Sequence, residues 1–126
     1  MNAVERLWRA LRKEDWEAAE AQLHEHAVVR WPHTGERFDR AIDYVTAHRL
    51  DVDRRAIDVR RVVRDGRDIG VWVVLTYADG GPRWHGAAVY ELQETRIAHA
   101  TEVWTEEGGR AVPGFRRRHE LGDGGA

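Results

Sequence analysis

Apolar residues change their spacing once along this chain. In its first part they recur at helical intervals. Residues 3–13 set Val4, Leu7, Trp8 and Leu11 on one helix face. Asp15 has the chemistry of an N-cap, with Glu17 in the first turn. This predicts a second helix running to about Leu23, with Trp16, Ala19 and Leu23 as its apolar side. "AVVRW" (Ala27 to Trp31) reads as a short strand that Pro32 ends or leaves at an edge. "HTGER" is turn chemistry, with Gly35 free to take positive φ. Asp39 is placed to cap a third helix through about Leu50, to which Ile42, Tyr44 and Val45 give an apolar side.

From Ala56 the interval becomes two. "IDVRRVV" runs through "RDGRD" into "IGVWVVLTY", and Asp65-Gly66 is a strong hairpin signal. "ADGGP" leads into "RWHGAAVYEL", and "QETR" into "IAHATEVW". Four strands in an antiparallel meander follow three helices, which is an α+β plan, and a curved sheet with the helices across its concave face is the expected result. After Glu107 the chain turns to Gly, Arg and Pro. Residues 1–107 are therefore expected to form one domain and 108–126 a tail, partly disordered, with "GDGGA" frayed.

"VWVVLTY" is apolar on both faces, with Trp72, Val74 and Thr76 on one and Val71, Val73, Leu75 and Tyr77 on the other. A sheet open to water on one side alternates more cleanly. Both faces are thus expected to be covered, one by helices and the other by a second copy in a homodimer.

Composition narrows the function classes. The chain is 42% apolar and 33% charged over 126 residues, as in a soluble domain with one sizeable core. No apolar run approaches the ~20 residues that span a bilayer, and the charged N-terminus lacks a signal-peptide core. No membrane partner and a cytoplasmic location are the expectation. Cysteine is absent, which removes disulfides, thiol catalysis and zinc–cysteine sites. The net charge of −2 and the lack of a basic stripe point away from nucleic acid. Six tryptophans in so short a chain fit a core or an apolar cavity better than a base-stacking surface.

Three segments carry a family resemblance. "ALRKEDWEAAEAQLHEHAVVRWPHTGERF" (Ala10 to Phe38), "AIDYV" (Ala41 to Val45) and "YELQETRIAHATEVW" (Tyr90 to Trp104) resemble the SnoaL-like (polyketide cyclase-like) branch of the nuclear transport factor 2-like superfamily. The resemblance covers about residues 3–107. It implies a cone, a cystatin-like α+β barrel in which a strongly curved antiparallel sheet wraps the N-terminal helices around a ligand pocket. It also implies dimerisation through the outer sheet face. The fold hosts isomerases, cyclases, epoxide hydrolases, dehydratases and non-catalytic binders, so it does not specify the chemistry.

The chemistry is tested position by position. Ketosteroid isomerase-like members of the family keep an aspartate base where this chain has Trp31, an oxyanion tyrosine where it has Leu7, and a second acid near Ala87. Limonene epoxide hydrolase-like members keep an Arg-x-Asp pair that falls on Val74 and Thr76. Their last-strand aspartate matches Glu102, the one such position that retains a carboxylate here. Period two groups Ala98, Ala100, Glu102 and Trp104, and the resemblance turns that face inward. A carboxylate walled by Trp31, Trp72 and Trp104 would be desolvated and could exchange protons near neutral pH. The plain alternative is an arginine pair or the opposite register. His85, grouped with Ala87 and Val89, is the expected partner of Glu102 or a ligand hydrogen bonder, unless the backbone satisfies it.

The expected pocket takes a small hydrophobic molecule. Its lining is Leu7, Leu11, Trp16, Trp31, Trp72, Val74, Ala87, Ala100 and Trp104, with His33 at the rim and the Tyr44 hydroxyl within reach. His33 is equally a solvated turn residue. His24-x-His26 lacks a third ligand at useful spacing, and no metal or cofactor is expected. Two readings remain open. One is an enzyme of isomerase, cyclase or hydrolase type; the other is a binding or interaction module that has lost the family's catalytic set.

Overall fold

The computed structural model describes residues 1–51 and 55–119. Helix α1 (Ala3–Arg12) opens with a capping box: the Asn2 side chain accepts from the Glu5 amide, and Glu5 accepts from the Asn2 amide. It buries Val4, Leu7, Trp8 and Leu11, as the helical spacing predicts. Asp15 caps α2 (Trp16–Glu20) through the Ala18 amide. That helix is shorter than expected. Leu23, assigned to its apolar face, is the first residue of strand β1 (Leu23–Trp31), which therefore begins four residues before Ala27.

Pro32 ends β1, and Gly35 turns the chain at φ 80°. A three-residue strand then forms that the turn chemistry concealed, β2 (Glu36–Phe38), antiparallel to β1 with Trp31 opposite Glu36. Helix α3 (Ala41–Leu50) starts at Arg40 with no side-chain cap. Asp39, expected there, is bonded instead to Arg37 Nε at 2.6 Å. The meander comprises β3 (Arg55–Asp65), β4 (Asp68–Tyr77), β5 (Trp84–Gln93) and β6 (Arg96–Glu106). Its first hairpin turns at Gly66, φ 61°.

The strand order is β2-β1-β6-β5-β4-β3. The meander is antiparallel, but β1 joins β6 in parallel, so the sheet is mixed rather than all-antiparallel. The sheet stays open. α1 and α3 lie on its inner side, and the core gathers Val4, Leu7, Trp8 and Leu11 of α1, Tyr44 and Val45 of α3, and Ile69, Val73, Tyr90, Ile97 and Ala100 of the strands.

Two bulges decide which way the strands face. One lies between Val59 and Arg61. The other lies where Leu92 pairs with Ile97 but Glu91 pairs with His99, adding a residue to β6. Beyond the second bulge Glu102 sits opposite Ala88, Ala100 opposite Tyr90 and Trp104 opposite Gly86. Cross-strand partners share a face. Gly86, Ala88, Tyr90 and Leu92 therefore point inward, and His85, Ala87 and Val89 outward. Trp72 pairs with Ala87 and Val74 with His85, so they face outward too. Val74 is buried yet lies outside the core cluster. The outer face leaves Val63, Trp72, Val89 and Val103 exposed, at 54, 43, 58 and 44%. Residues 114–119 of the expected tail form a short 3-10 helix, and "GDGGA" lies outside the described residues. Among the described residues no helix is long and apolar enough to cross a membrane.

Candidate functional site

Glu102 is fully buried on the inner face of β6. Its carboxylate is met by donors from three elements. Trp31 Nε1 at the end of β1 donates to Oε1 at 2.9 Å. The Tyr44 hydroxyl on α3 donates to Oε2 at 2.7 Å, and the Tyr90 hydroxyl on β5 donates to the same oxygen. Trp8 Nε1 on α1 in turn donates to the Tyr90 oxygen at 3.1 Å. Burial raises the Glu102 pKa above the usual carboxylate value, and hydrogen bonds from Tyr90, Tyr44, Trp31 and Trp104 oppose that rise. Burial, and then the nearby Glu102 charge, push both tyrosines well up, so their hydroxyls stay protonated and donate.

The arrangement is neither of the alternatives foreseen for Glu102. No arginine pairs with it among the described residues, and it does not face water. Its intended partner is on the other side of the sheet. His85 accepts from Trp72 Nε1 at 3.1 Å through Nδ1, stacks on that indole, and lies 3.6 Å from Glu107. The β6 bulge is the physical reason. A strict count back from the β5–β6 turn sets Ala87 opposite Glu102, and one extra residue replaces it with Ala88.

The same parity corrects three expected lining residues. Trp72, Val74 and Ala87 face outward and do not border the cavity. Thr76 shares their face. The inward neighbours at those family positions are Val73, Leu75, Gly86 and Ala88, which carry no ionisable group. Leu7, Leu11 and Ala100 are buried core residues, and Trp16 packs half-buried against that core. His99 is exposed on the outer side of β6, and His24 bonds the Gln93 carbonyl at 3.0 Å through Nε2.

A cavity of about 570 Å³ opens beside this network. Trp31, Trp84 and Trp104 wall it, with Ala47, Leu75 and Pro82, and His33 stands at its rim, where Nδ1 accepts from the Trp104 amide at 3.4 Å. Gly86 makes the Trp104 position available, because the indole lies where a Cβ at residue 86 would be. The remaining polar lining was not singled out from the sequence: His48 and Asp51 at the end of α3, Arg55 at the start of β3, Tyr77 at the end of β4, and Asp79.

His48 is 3% exposed and boxed by ring edges of Trp8, Trp31 and Tyr44. Neither ring nitrogen has a hydrogen-bond partner among the described residues. Burial, aided by the Arg55 charge, lowers its pKa to about 3, so the imidazole is neutral at physiological pH. The Arg55 side chain is also 3% exposed. Its Nη1 reaches Asp51 at a long 3.5 Å, and Nη2 has no partner among the described residues. Asp51 accepts the Tyr77 hydroxyl at 2.7 Å, and burial with that bond raises Tyr77 to about 12. The site thus offers one neutral imidazole and one incompletely matched guanidinium at a tryptophan-walled opening. The period-two and period-3.6 patterns do not flag these groups, because they sit at element ends.

No protein-family model matches the sequence, and no curated protein matches it. Solved structures do. A candidate ketosteroid isomerase from Kribbella flavida is 24% identical, with a TM-score of 0.83 over 95% of this chain and 86% of its own. A nuclear transport factor 2-like protein of unknown function from Burkholderia xenovorans is 19% identical, with a TM-score of 0.76 over 95% of this chain and 91% of its own. IdmH, a candidate polyketide cyclase from Streptomyces antibioticus, is 14% identical, with a TM-score of 0.71 over 81% of this chain and 88% of its own. At these identities the likeness establishes architecture rather than activity, and the chain has a nuclear transport factor 2-like α+β cone fold.

Proposed function

We propose that the chain binds a small, largely apolar molecule in the open end of the cone, between the indoles of Trp31, Trp84 and Trp104. The observation that carries this reading is the cavity itself, about 570 Å³ walled by three indoles, with His48, Asp51, Arg55 and Tyr77 among its polar lining. An apolar cavity with a few convergent polar groups is the usual form of a small-molecule site. Glu102 does not border the cavity, and three donors hold its oxygens. Its role in this reading is to fix Trp31 and Tyr44 in place. The test is native mass spectrometry of the purified protein together with tryptophan fluorescence during titration with aromatic ligands. A stoichiometric ligand, or saturable quenching removed by filling the cavity with Ala47→Trp, supports the reading; linear, non-saturating quenching sinks it.

A second reading is acid–base catalysis of isomerase, cyclase or hydrolase type. The observation behind it is the neutral imidazole of His48, which at a pKa of about 3 is a weak base and is suited to polarise a ligand carbonyl rather than to take a proton. The candidate isomerase and cyclase among the structural relatives are what bring this chemistry to mind for this chain. Turnover of a bound ligand that is abolished by His48→Phe would establish it.

The outer sheet face is proposed as the contact with a second copy. Support comes from its exposed apolar residues Val63, Trp72, Val89 and Val103, which Arg60 and Arg61 edge at Trp72.

A further inference from the structure

We infer that the molecule held in the cavity carries a cationic ammonium group on a flat apolar body, with the ammonium set among the indoles of Trp31, Trp84 and Trp104 on the side of Asp51 and Asp79. The inference rests on the binding reading above and adds the ligand's charge to it.

Among the described residues the charged lining is Asp51, Arg55 and Asp79. Arg55 is the single cation, and it is withdrawn from the cavity. Its side chain is 3% exposed, its Nη1 pairs with Asp51 Oδ2 at 3.5 Å, and its Nη2 has no accessible surface. His48 adds no charge, because its imidazole is neutral and both ring nitrogens are covered. His33 Nδ1 is engaged as an acceptor by the Trp104 amide. The carboxylates are placed differently. Asp51 is 59% exposed at the side chain, and its two partners, the Arg55 guanidinium and the Tyr77 hydroxyl, share Oδ2, which leaves Oδ1 open. Asp79 is exposed; its Oδ1 accepts from the Gly81 amide at 2.8 Å, and its Oδ2 has no partner among the described residues. Two open carboxylates thus line the cavity against one buried, already paired guanidinium, and one negative charge is left uncompensated.

The rings favour the same sign of charge. Trp31, Trp84 and Trp104 are each half-buried, so part of every indole stays uncovered at the cavity it walls. An indole face is negative, and it is the best aromatic partner for an ammonium. A carboxylate a few ångströms away adds to that attraction. The two features arise independently: the indoles come from β1, β5 and β6, the carboxylates from the end of α3 and the turn after β4. An anion would meet open carboxylates and no accessible cation. Ala47, Leu75 and Pro82 complete the lining with apolar surface, which suits a hydrophobic body behind the ammonium. The class is thus an arylalkyl amine or its quaternary form.

The experiment titrates the whole chain by calorimetry with three probes that share one ring system: 2-naphthylmethylamine, 2-naphthylmethanol and 2-naphthoate. At pH about 7.5 the amine is protonated. It is expected to bind about tenfold tighter than the alcohol, within the range of a desolvated cation–π contact, and the naphthoate is expected to bind most weakly. Asp79→Asn is expected to weaken the amine about threefold, the range of an exposed ion pair, and to leave the alcohol unchanged. Trp84→Leu is expected to weaken the amine more than the alcohol, with circular dichroism checking the fold of each variant. An alcohol that binds as tightly as the amine, or a naphthoate that binds more tightly, overturns the inference while leaving the cavity reading intact. A preference for the amine that survives both substitutions overturns it too, because the charge is then read elsewhere. Failure of all three probes overturns the inference, and the binding reading falls with it only when native mass spectrometry and the aromatic titrations are also negative. The comparison on the unaltered protein stands even if the variants do not fold.

Discussion

Tyr44 and Glu102 lie 58 residues apart in the chain and are joined by a 2.7 Å hydrogen bond from hydroxyl to carboxylate. This bond ties α3 to the last strand, and its geometry makes the carboxylate an acceptor for donors that have no other partner. Glu102→Leu removes that acceptor from Trp31, Tyr44 and Tyr90 together. The expected loss is about 3 kcal/mol or more, since each buried donor left unsatisfied costs about 1–3 kcal/mol. Glu102→Gln is expected to cost only about 1 kcal/mol. Its carbonyl can serve Trp31 while its amide group faces tyrosine oxygens whose hydroxyl hydrogens can turn. Urea denaturation of the two variants separates these outcomes, and equal losses would contradict this account of the network.

Stability should depend on pH through His48 and Glu102 in opposite senses. His48 has a folded-state pKa of about 3 against an ordinary 6.5. Its contribution is complete above 6.5 and is lost as pH falls toward 3, because the unfolded chain takes the proton first. Glu102, raised by burial above 4.5, works the other way. Its contribution is complete below 4.5 and is lost as pH rises through the higher folded value. His48→Phe keeps a ring among Trp8, Trp31 and Tyr44 and gives up no hydrogen bond. It is expected to flatten the acid-side slope of the urea midpoint between pH about 4 and 6.5 with little change at pH about 7.5. An unchanged acid-side slope would show that His48 is not the group responsible.

Gly86→Ala puts a methyl group where the Trp104 ring lies on the inner face of β5. Relief requires the indole to leave the cavity wall, at an expected cost of about 1–3 kcal/mol. A lowered Tm with a red-shifted tryptophan emission would mark that displacement. An unchanged Tm would mean that the ring has room elsewhere.

A lysine at Val89 or Trp72 places a charge in the centre of the exposed apolar face. Light scattering on the unaltered chain is expected to give twice the chain mass, and either variant about the monomer mass at micromolar concentration. A monomeric unaltered chain would end the proposal of a second copy on this face.

Much of the architecture was legible because it rests on local patterns. The Val4, Leu7, Trp8 and Leu11 stripe, the Asp65-Gly66 turn and the last strand's inward Glu102 all follow from spacing or from the resemblance. The composition of the site was not legible. A single added residue in β6 reversed β5 relative to Glu102, exchanging His85 and Ala87 for Ala88 and Tyr90. No side-chain pattern announces a bulge in advance, so Tyr90, with the hydroxyl that Glu102 accepts, was hidden on the wrong face. Trp8 read simply as core, although its indole N–H extends the network. His48 and Arg55 come together only through tertiary packing of a helix end against a strand start. An unusual density of indoles was the one early hint that a cavity would need walls.

The parallel pairing of β1 with β6 also bears on how the chain reaches this structure. Val29 lines up with Ala100, so about half the chain must be closed into a loop before that ladder forms. Loop closure of this span makes non-local pairing slow, and it places the step late in folding. Until β6 arrives, β1 has an open edge toward the centre of the sheet, and Trp31 and Tyr44 have no acceptor. The ribosome releases β6 last of the strands, so the N-terminal half emerges with an unpaired edge that invites association between nascent chains.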